Sequence, residues 1–231
     1  MKLLALDTST EACSAALLLD GEIRLRCVLT ERSHAELILP MVDGLLTDAG
    51  ISLASLDGLA FGRGPGAFTG LRIACGVVQG LALGAGLRVA PISSLAAVAE
   101  QVPLADGETV LVCNDARMGE VYWGTYRRSA SGAIETIAAE AVSPPERIPG
   151  MAVATGHAAG NGLTRHPDLR RRLAESGWRI HDDLWPRADA VARLGAVEFA
   201  AGRSVTAQQA LPHYVRDDVA RPSGPPVTAM S

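Results

Sequence analysis

Lys2-Leu3-Leu4-Ala5-Leu6-Asp7-Thr8-Ser9-Thr10 is a short apolar strand that runs into an acidic residue and a polar turn. Cys13 to Leu19 reads as a second strand, Asp20-Gly21 is a two-residue hairpin signal, and Glu22 to Thr30 returns. The same opening recurs 108 residues on. Val110 to Asn114 is apolar, Asp115 ends it, Ala116 to Gly119 makes a turn, and Glu120 to Tyr126 is the next strand. Asp7 and Asp115 therefore hold corresponding places. The likeness is one of topology, not of sequence, and it predicts two related α/β lobes.

Between the two openings the chain alternates helix and strand signals. Ser33 with Glu36 forms a capping-box pattern, Gly50 stands where a C-terminal cap belongs, and Pro40 inside that helix should kink it. Asp57 to Phe61 is a buried strand, and a glycine-rich loop leads from it into a helix that ends near Gly84. Arg88 to Ile92 is a short strand before a helix from Ser94 to Glu100. The polar stretch Leu104 to Glu108 sets the boundary, giving a first lobe of residues 1–105 and a second of 106–216 whose last helix can return to the first. In the second lobe, strands are expected near Ile134 to Ala139 and Met151 to Thr155, and helices over Leu163 to Glu175 and Asp189 to Gly202. Residues 217–231 have the Pro, Gly and Ser content of a disordered tail.

The 231 residues are 48% hydrophobic and 20% charged, which excludes collagen, coiled coil or disorder as a description of the whole. There are 21 basic residues against 25 acidic, net −4, and neither half is basic: 7 against 10 up to residue 105, 14 against 15 after it. A chain that grips nucleic acid by itself would show a basic face. Cys13, Cys27, Cys75 and Cys113 contain no C-x-x-C pair and read as buried free thiols in a reducing compartment. Asp7 cuts the first apolar run too short for a signal peptide. The longest uncharged stretch, Ile73 to Leu87, has 15 residues where a membrane span needs about 20, so the expectation is a cytoplasmic protein with no membrane contact.

Gly62-Arg63-Gly64-Pro65-Gly66-Ala67-Phe68-Thr69-Gly70 is the sharpest chemical feature. Alternate glycines admit positive φ and close approach, and the following helix offers free N–H groups to an anion. Gly62, Gly64 and Gly66, with Asp7, Thr8, Ser9 and Asp115, make a candidate nucleotide or phosphate site. The two aspartates could also hold a hydrated metal, or merely cap turns. Gly62-x-Gly64-x-x-Ala67 imitates a dinucleotide fingerprint, but no acidic residue follows about 20 positions on, and no Lys-Ser or Lys-Thr makes it a P-loop. A purely structural turn is the other reading. Gly76, Gly80 and Gly84 share one helix face. Each costs about 1 kcal/mol relative to Ala, so the stripe calls for close helix packing, within the domain or against another subunit. The five histidines show no metal spacing, no G-x-S-x-G elbow supports a hydrolase, and Arg165, Arg170, Arg171 and Arg172 read as a solvated helix face.

The strings LALDTST, HAELILP from His34, GRGPGAFTGLR from Gly62, DARMGEVYW from Asp115 and PHYVR from Pro212 occur in this order. Together they resemble the TsaB (YeaZ) family, over Lys2 to about Arg216. The resemblance implies a two-lobed actin/Hsp70/sugar-kinase-like α/β fold built from two ribonuclease-H-like halves. It implies a non-catalytic subunit of the bacterial machinery that makes threonylcarbamoyladenosine in tRNA, partner of a catalytic TsaD-like subunit and of a TsaE-like ATPase, with tRNA reached only indirectly. It also implies that the helices starting near Ser33 and Thr69 form the heterodimer face, and a homodimer when the chain is alone. The interface candidates are Ser33, His34, Leu37, Met41, Thr69, Ile73, Gly76, Gly80 and Gly84. TsaD-like chains carry two metal-binding histidines after the strand matching Arg88 to Ile92. Here that segment reads Ser93-Ser94-Leu95-Ala96-Ala97-Val98, so no catalytic residue, metal or firmly bound cofactor is expected, with weak ATP or ADP binding left open. The alternatives are a nucleotide-dependent small-molecule kinase or a peptidase on the same fold.

Overall fold

The computed structural model describes residues 1–148 and 156–216. The expected strand at Met151 to Thr155 and the tail from residue 217 lie outside the described residues. Strands β1 (Lys2–Asp7), β2 (Ala12–Leu19), β3 (Glu22–Leu29), β4 (Gly58–Gly64) and β5 (Val89–Ser93) form one sheet in the order β3-β2-β1-β4-β5. Strands β6 (Thr109–Asp115), β7 (Val121–Arg128), β8 (Ile134–Ser143), β9 (His157–Ala159) and β10 (Arg179–His181) form the other in the order β10-β9-β6-β7-β8. In both, a three-stranded antiparallel meander continues into two parallel strands through the first strand of the set. The duplicated opening in the sequence is a duplicated sheet.

Strand β1 is central and apolar on both faces, as a strand covered twice must be. Leu4 and Leu6 face helices α1 (His34–Ala49) and α2 (Phe68–Ala85), whereas Leu3 and Ala5 face α6 (Ala188–Ala200). The α6 side of the sheet is lined with Ala5, Ala16, Ala60 and Ala90. That small-residue lining lets α6 come so close that a Cβ on Gly195 would lie 2.7 Å from the Ala60 Cβ. Helix α6 comes after the second sheet yet packs on the first, and Ala207 and Ala210 beyond it join the first sheet's other core. Helix α3 (Ser94–Ala99) lies between the lobes, with Leu95, Val98 and Ala99 packed on Val110, Val112 and Tyr126.

Several local expectations change. Helix α1 runs unbroken through Pro40, and Ser33 makes no side-chain cap; Gly50 does close it in the left-handed conformation. The single helix expected over Leu163 to Glu175 is two, α4 (Asn161–Arg165) and α5 (Pro167–Glu175). Pro167 disfavours helical φ/ψ for His166, which sits at φ −123°, and itself takes the first position of α5. Helix α2 is long and apolar enough to cross a membrane by length and composition, but Leu71, Ala74, Val78 and Ala82 bind it to the first sheet.

Candidate functional site

A cleft of about 670 Å³ opens where the lobes meet. Its floor is the β1–β2 turn at Thr8 to Glu11, one wall is the glycine loop and the start of α2, and the opposite wall is Asp115 to Arg117. His213 to Arg216 passes along its rim.

The glycine loop is closed onto the polar turn. Ala67 N–H donates to the Ser9 carbonyl at 2.7 Å, and Thr8 Oγ1 donates to the Gly70 carbonyl at 2.7 Å. A Cβ on Gly66 would lie 2.4 Å from Ser9 O, and one on Gly70 would lie 1.9 Å from Thr8 O. Gly64, at φ +111°, faces His213 O. Gly62 leaves room for the Asp7 carboxyl, whose Oδ2 would stand 1.8 Å from an added Cβ. These glycines admit the chain's own backbone and an aspartate. Thr8, Ser9, Gly66 and Asp115 border the cleft; Asp7, Gly62 and Gly64 lie behind it.

Asp7 is wholly buried. Its Oδ1 accepts from Ser9 N–H at 2.8 Å and Ser9 Oγ at 2.7 Å, yet burial dominates and pushes its pKa up to about 7. Asp115 stands nearer the surface. Its Oδ1 accepts from Arg117 N–H at 3.0 Å, and the Arg117 guanidinium continues across the cleft to Glu11 at 2.7 Å. His34 does not project from α1: its Nε2 lies 2.8 Å from the Thr10 carbonyl, which can only accept, so Nε2 carries the proton.

The flank of the cleft is different. Among the described residues Gly76, Gly80 and Gly84 have nothing within 4 Å of an added Cβ, so the stripe is not a packing groove for any of them. It continues at four-residue spacing back to Arg72 and Phe68, and with Thr69 and Leu83 these form one exposed face. The Arg72 guanidinium lies 3.6 Å from the Phe68 ring centroid, and Arg72 Nε donates to Tyr214 Oη at 3.2 Å.

Comparison with known proteins places this architecture. A family model described as TsaD, tRNA N6-adenosine threonylcarbamoyltransferase, matches residues 28–175. The tRNA threonylcarbamoyladenosine biosynthesis protein TsaB of Escherichia coli is 42% identical over 95% of this chain and 96% of its own length. That of Haemophilus influenzae is 39% identical over 95% of each. A solved structure of YeaZ from Pseudomonas aeruginosa superposes with a TM-score of 0.80 at 41% identity, covering 93% of this chain and all of that one. The chain belongs to the TsaB family. A second Pseudomonas aeruginosa structure, described by its similarity to peptidase YeaZ, has a TM-score of 0.84 at 43% identity over 93% of this chain and 99% of that one.

Against the interface candidates drawn from the TsaB resemblance, the structure divides the set. Thr69, Gly76, Gly80 and Gly84 are exposed, and Ser33, Leu37 and Ile73 are half-buried. His34 and Met41 turn inward, Met41 into the core with Ile38 and Leu45. Phe68, Arg72, Leu83 and Tyr214 are exposed beside them without being among those candidates, although continuing the four-residue glycine spacing toward the N-terminus reaches the first two. Helix α3, where TsaD-like chains are expected to carry histidines, is filled by apolar core residues. Among the described residues no three His, Cys, Asp or Glu side chains converge on a metal position. The four cysteines are free, three of them buried, with Cys27 exposed. Burial raises Cys13 to about 11 and Cys113 to about 12, which leaves them inert thiols. Arg170 and Arg171 pair with Asp182 and Asp168, as a solvated helix face would.

Proposed function

We propose that this chain is the accessory TsaB-type subunit of tRNA threonylcarbamoyladenosine biosynthesis in the cytoplasm. It binds and stabilises a catalytic TsaD-type subunit, helps to recruit a TsaE-type ATPase, meets tRNA only through them and performs no chemistry itself. The open glycine face of α2 carries the reading. Three helix glycines whose open side meets no other described residue lower its helix propensity for no gain seen among the described residues, and a second helix laid along them is what small residues admit. The same face can pair two copies when the chain is alone.

Gly80→Leu tests the face. It adds a side chain into open space, so the fold should survive, while affinity for the TsaD-type subunit falls at least about tenfold. Unchanged affinity would place the interface elsewhere. An omission assay tests the role: purified TsaD-type and TsaE-type subunits, threonylcarbamoyl-adenylate and tRNA, with and without this chain. Modification should collapse without it, and the chain alone should do nothing.

The cleft supports a weaker second reading, ATP or ADP held without turnover. Its volume suits a nucleotide, and Thr8, Ser9, Gly66 and Asp115 border it. Calorimetry with ATP and Mg²⁺ separates the cases: weak or absent heat accords with an accessory subunit, and tight binding with turnover would make the chain a kinase. A peptidase has no support in the geometry, since among the described residues no Ser, Thr or Cys side chain is hydrogen-bonded to a histidine ring.

A further inference from the structure

The α2 face is too small to be the whole docking surface. An 18-residue helix is about 27 Å long, and a strip about 10 Å wide offers roughly 300 Å², whereas a stable specific interface takes about 800 Å² from each partner. The underside of α1 is core, and its outer side, with Ala35, Glu36, Leu39, Pro40, Asp43 and Thr47 exposed, adds a second strip of about the same width, which still leaves the two helices short of that area.

A chain of contacts among exposed and half-buried side chains leads from the start of α2 to the other lobe. Phe68 and Tyr214 lie with ring centroids 5.5 Å apart, and Arg72 bridges them. Two residues after Tyr214, Arg216 donates to the Ala116 carbonyl at 3.2 Å and to Glu120 at 2.5 Å, and its Nη1 lies 3.7 Å from Met118 Sδ. Met118 is 87% exposed, more than any other large apolar side chain described. Its backbone holds it there: Arg117, Met118 and Gly119 have φ of +61°, +55° and +76°. L side chains rarely adopt that conformation, so it is strained at the two non-glycine residues. Two strained residues thus hold an apolar side chain out in water next to the cleft wall at Ala116 and Arg117, joined through Arg216 to the segment that carries Tyr214.

We propose that the docking surface of the TsaD-type subunit crosses the cleft mouth from α2 to the Arg117–Gly119 turn, with Met118 as its contact on the second lobe. The proposal rests on the reading of α2 as the subunit face. The partner segment it fits lays an apolar or aromatic side chain on Phe68 and Tyr214, with a carboxylate nearby for Arg72, and meets Met118 with a second apolar contact beyond Arg216. Methionine suits such a contact because it repacks readily, and Met, aromatic residues and Arg are the types enriched in interface cores.

The test is the affinity of the full chain for the TsaD-type subunit of the same organism, measured by titration calorimetry. Met118→Glu should weaken binding by about tenfold or more, and Met118→Leu should stay within about twofold of the parent. Ile137→Glu, an exposed apolar site on β8, should change nothing. If Met118→Glu binds like the parent while Gly80→Leu does not, the face ends at α2 and the proposal falls while the α2 reading stands. If neither variant weakens binding, both fall. If Met118→Glu alone weakens it, the surface does not reach α2, and the α2 reading falls together with the proposal that rests on it. Equal losses for Met118→Glu and Ile137→Glu would mark a general effect of added charge and overturn the proposal.

Discussion

The two lobes repeat one turn and use it in opposite ways. Each first strand ends in an aspartate whose Oδ1 accepts the N–H two residues on, Ser9 after Asp7 and Arg117 after Asp115. In the first lobe the glycine loop folds over that turn, backbone against backbone, and seals Asp7 in. In the second the turn stands out on three left-handed residues, with its arginine reaching across to Glu11 and its methionine in solvent. A duplicated scaffold fixes where the two turns sit. What packs above them decides whether each is a buried joint or an exposed contact.

The contrast is open to attack at the glycines. Gly70→Ala puts a Cβ 1.9 Å from a backbone carbonyl that cannot move without shifting the turn, and should cost about 5 kcal/mol or more, enough to unfold a domain of ordinary stability. Gly119→Ala meets no atom within 4 Å and loses only its left-handed backbone, about 1 kcal/mol. Similar denaturation midpoints for the two would erase the distinction between a sealed turn and a projecting one.

Asp7 sharpens it electrostatically. Its pKa of about 7 when folded lies above the ordinary 3.8, so the folded state holds the proton more tightly than the unfolded chain. That stabilisation is complete below about pH 4 and is lost as the pH rises through 7, as much as about 4 kcal/mol in all. Asp7→Asn, which can still accept from Ser9 and can donate toward Ser94, should remove this slope and be the more stable form at pH 8. Urea midpoints at pH 5 and pH 8 decide it, and parallel pH dependence in both proteins would mean that Asp7 is better solvated than its burial implies.

The smallest effect is expected at the projecting turn. Met118→Gly relieves one left-handed residue and should stabilise the isolated chain by about 0.5–1 kcal/mol, read as a small rise in melting temperature. A loss of stability instead would show that the Met118 contact with Arg216 outweighs the backbone strain.

Much of this architecture could be read from the chain. The paired strand–Asp–turn openings foretold two sheets of like winding, and the Asp20-Gly21 hairpin and the Gly50 cap stand where they were expected. The purpose of the glycine loop was not legible. Glycine is needed wherever backbone comes close, and sequence does not say whether the visitor is a phosphate or the chain's own Ser9. Ser33 and Glu36 fit the capping pattern, but the Ser33 side chain makes no cap bond. His34 and Met41 shared a helix with the expected interface, and a helix with a weakly contrasted surface does not announce which face the core will take. Pro167 splits its helix whereas Pro40 does not, so a proline in the sequence does not by itself decide between a break and an unbroken helix.

Helix α6 carries one more consequence. Because it and Ala207 to Ala210 complete the core around β1, the first lobe is assembled from both ends of the described chain, whereas the second is one continuous stretch inserted between them. On a ribosome the earliest strands must wait, with the apolar face of β1 uncovered, until almost the whole chain has emerged. The lobe translated second can be the one that folds first.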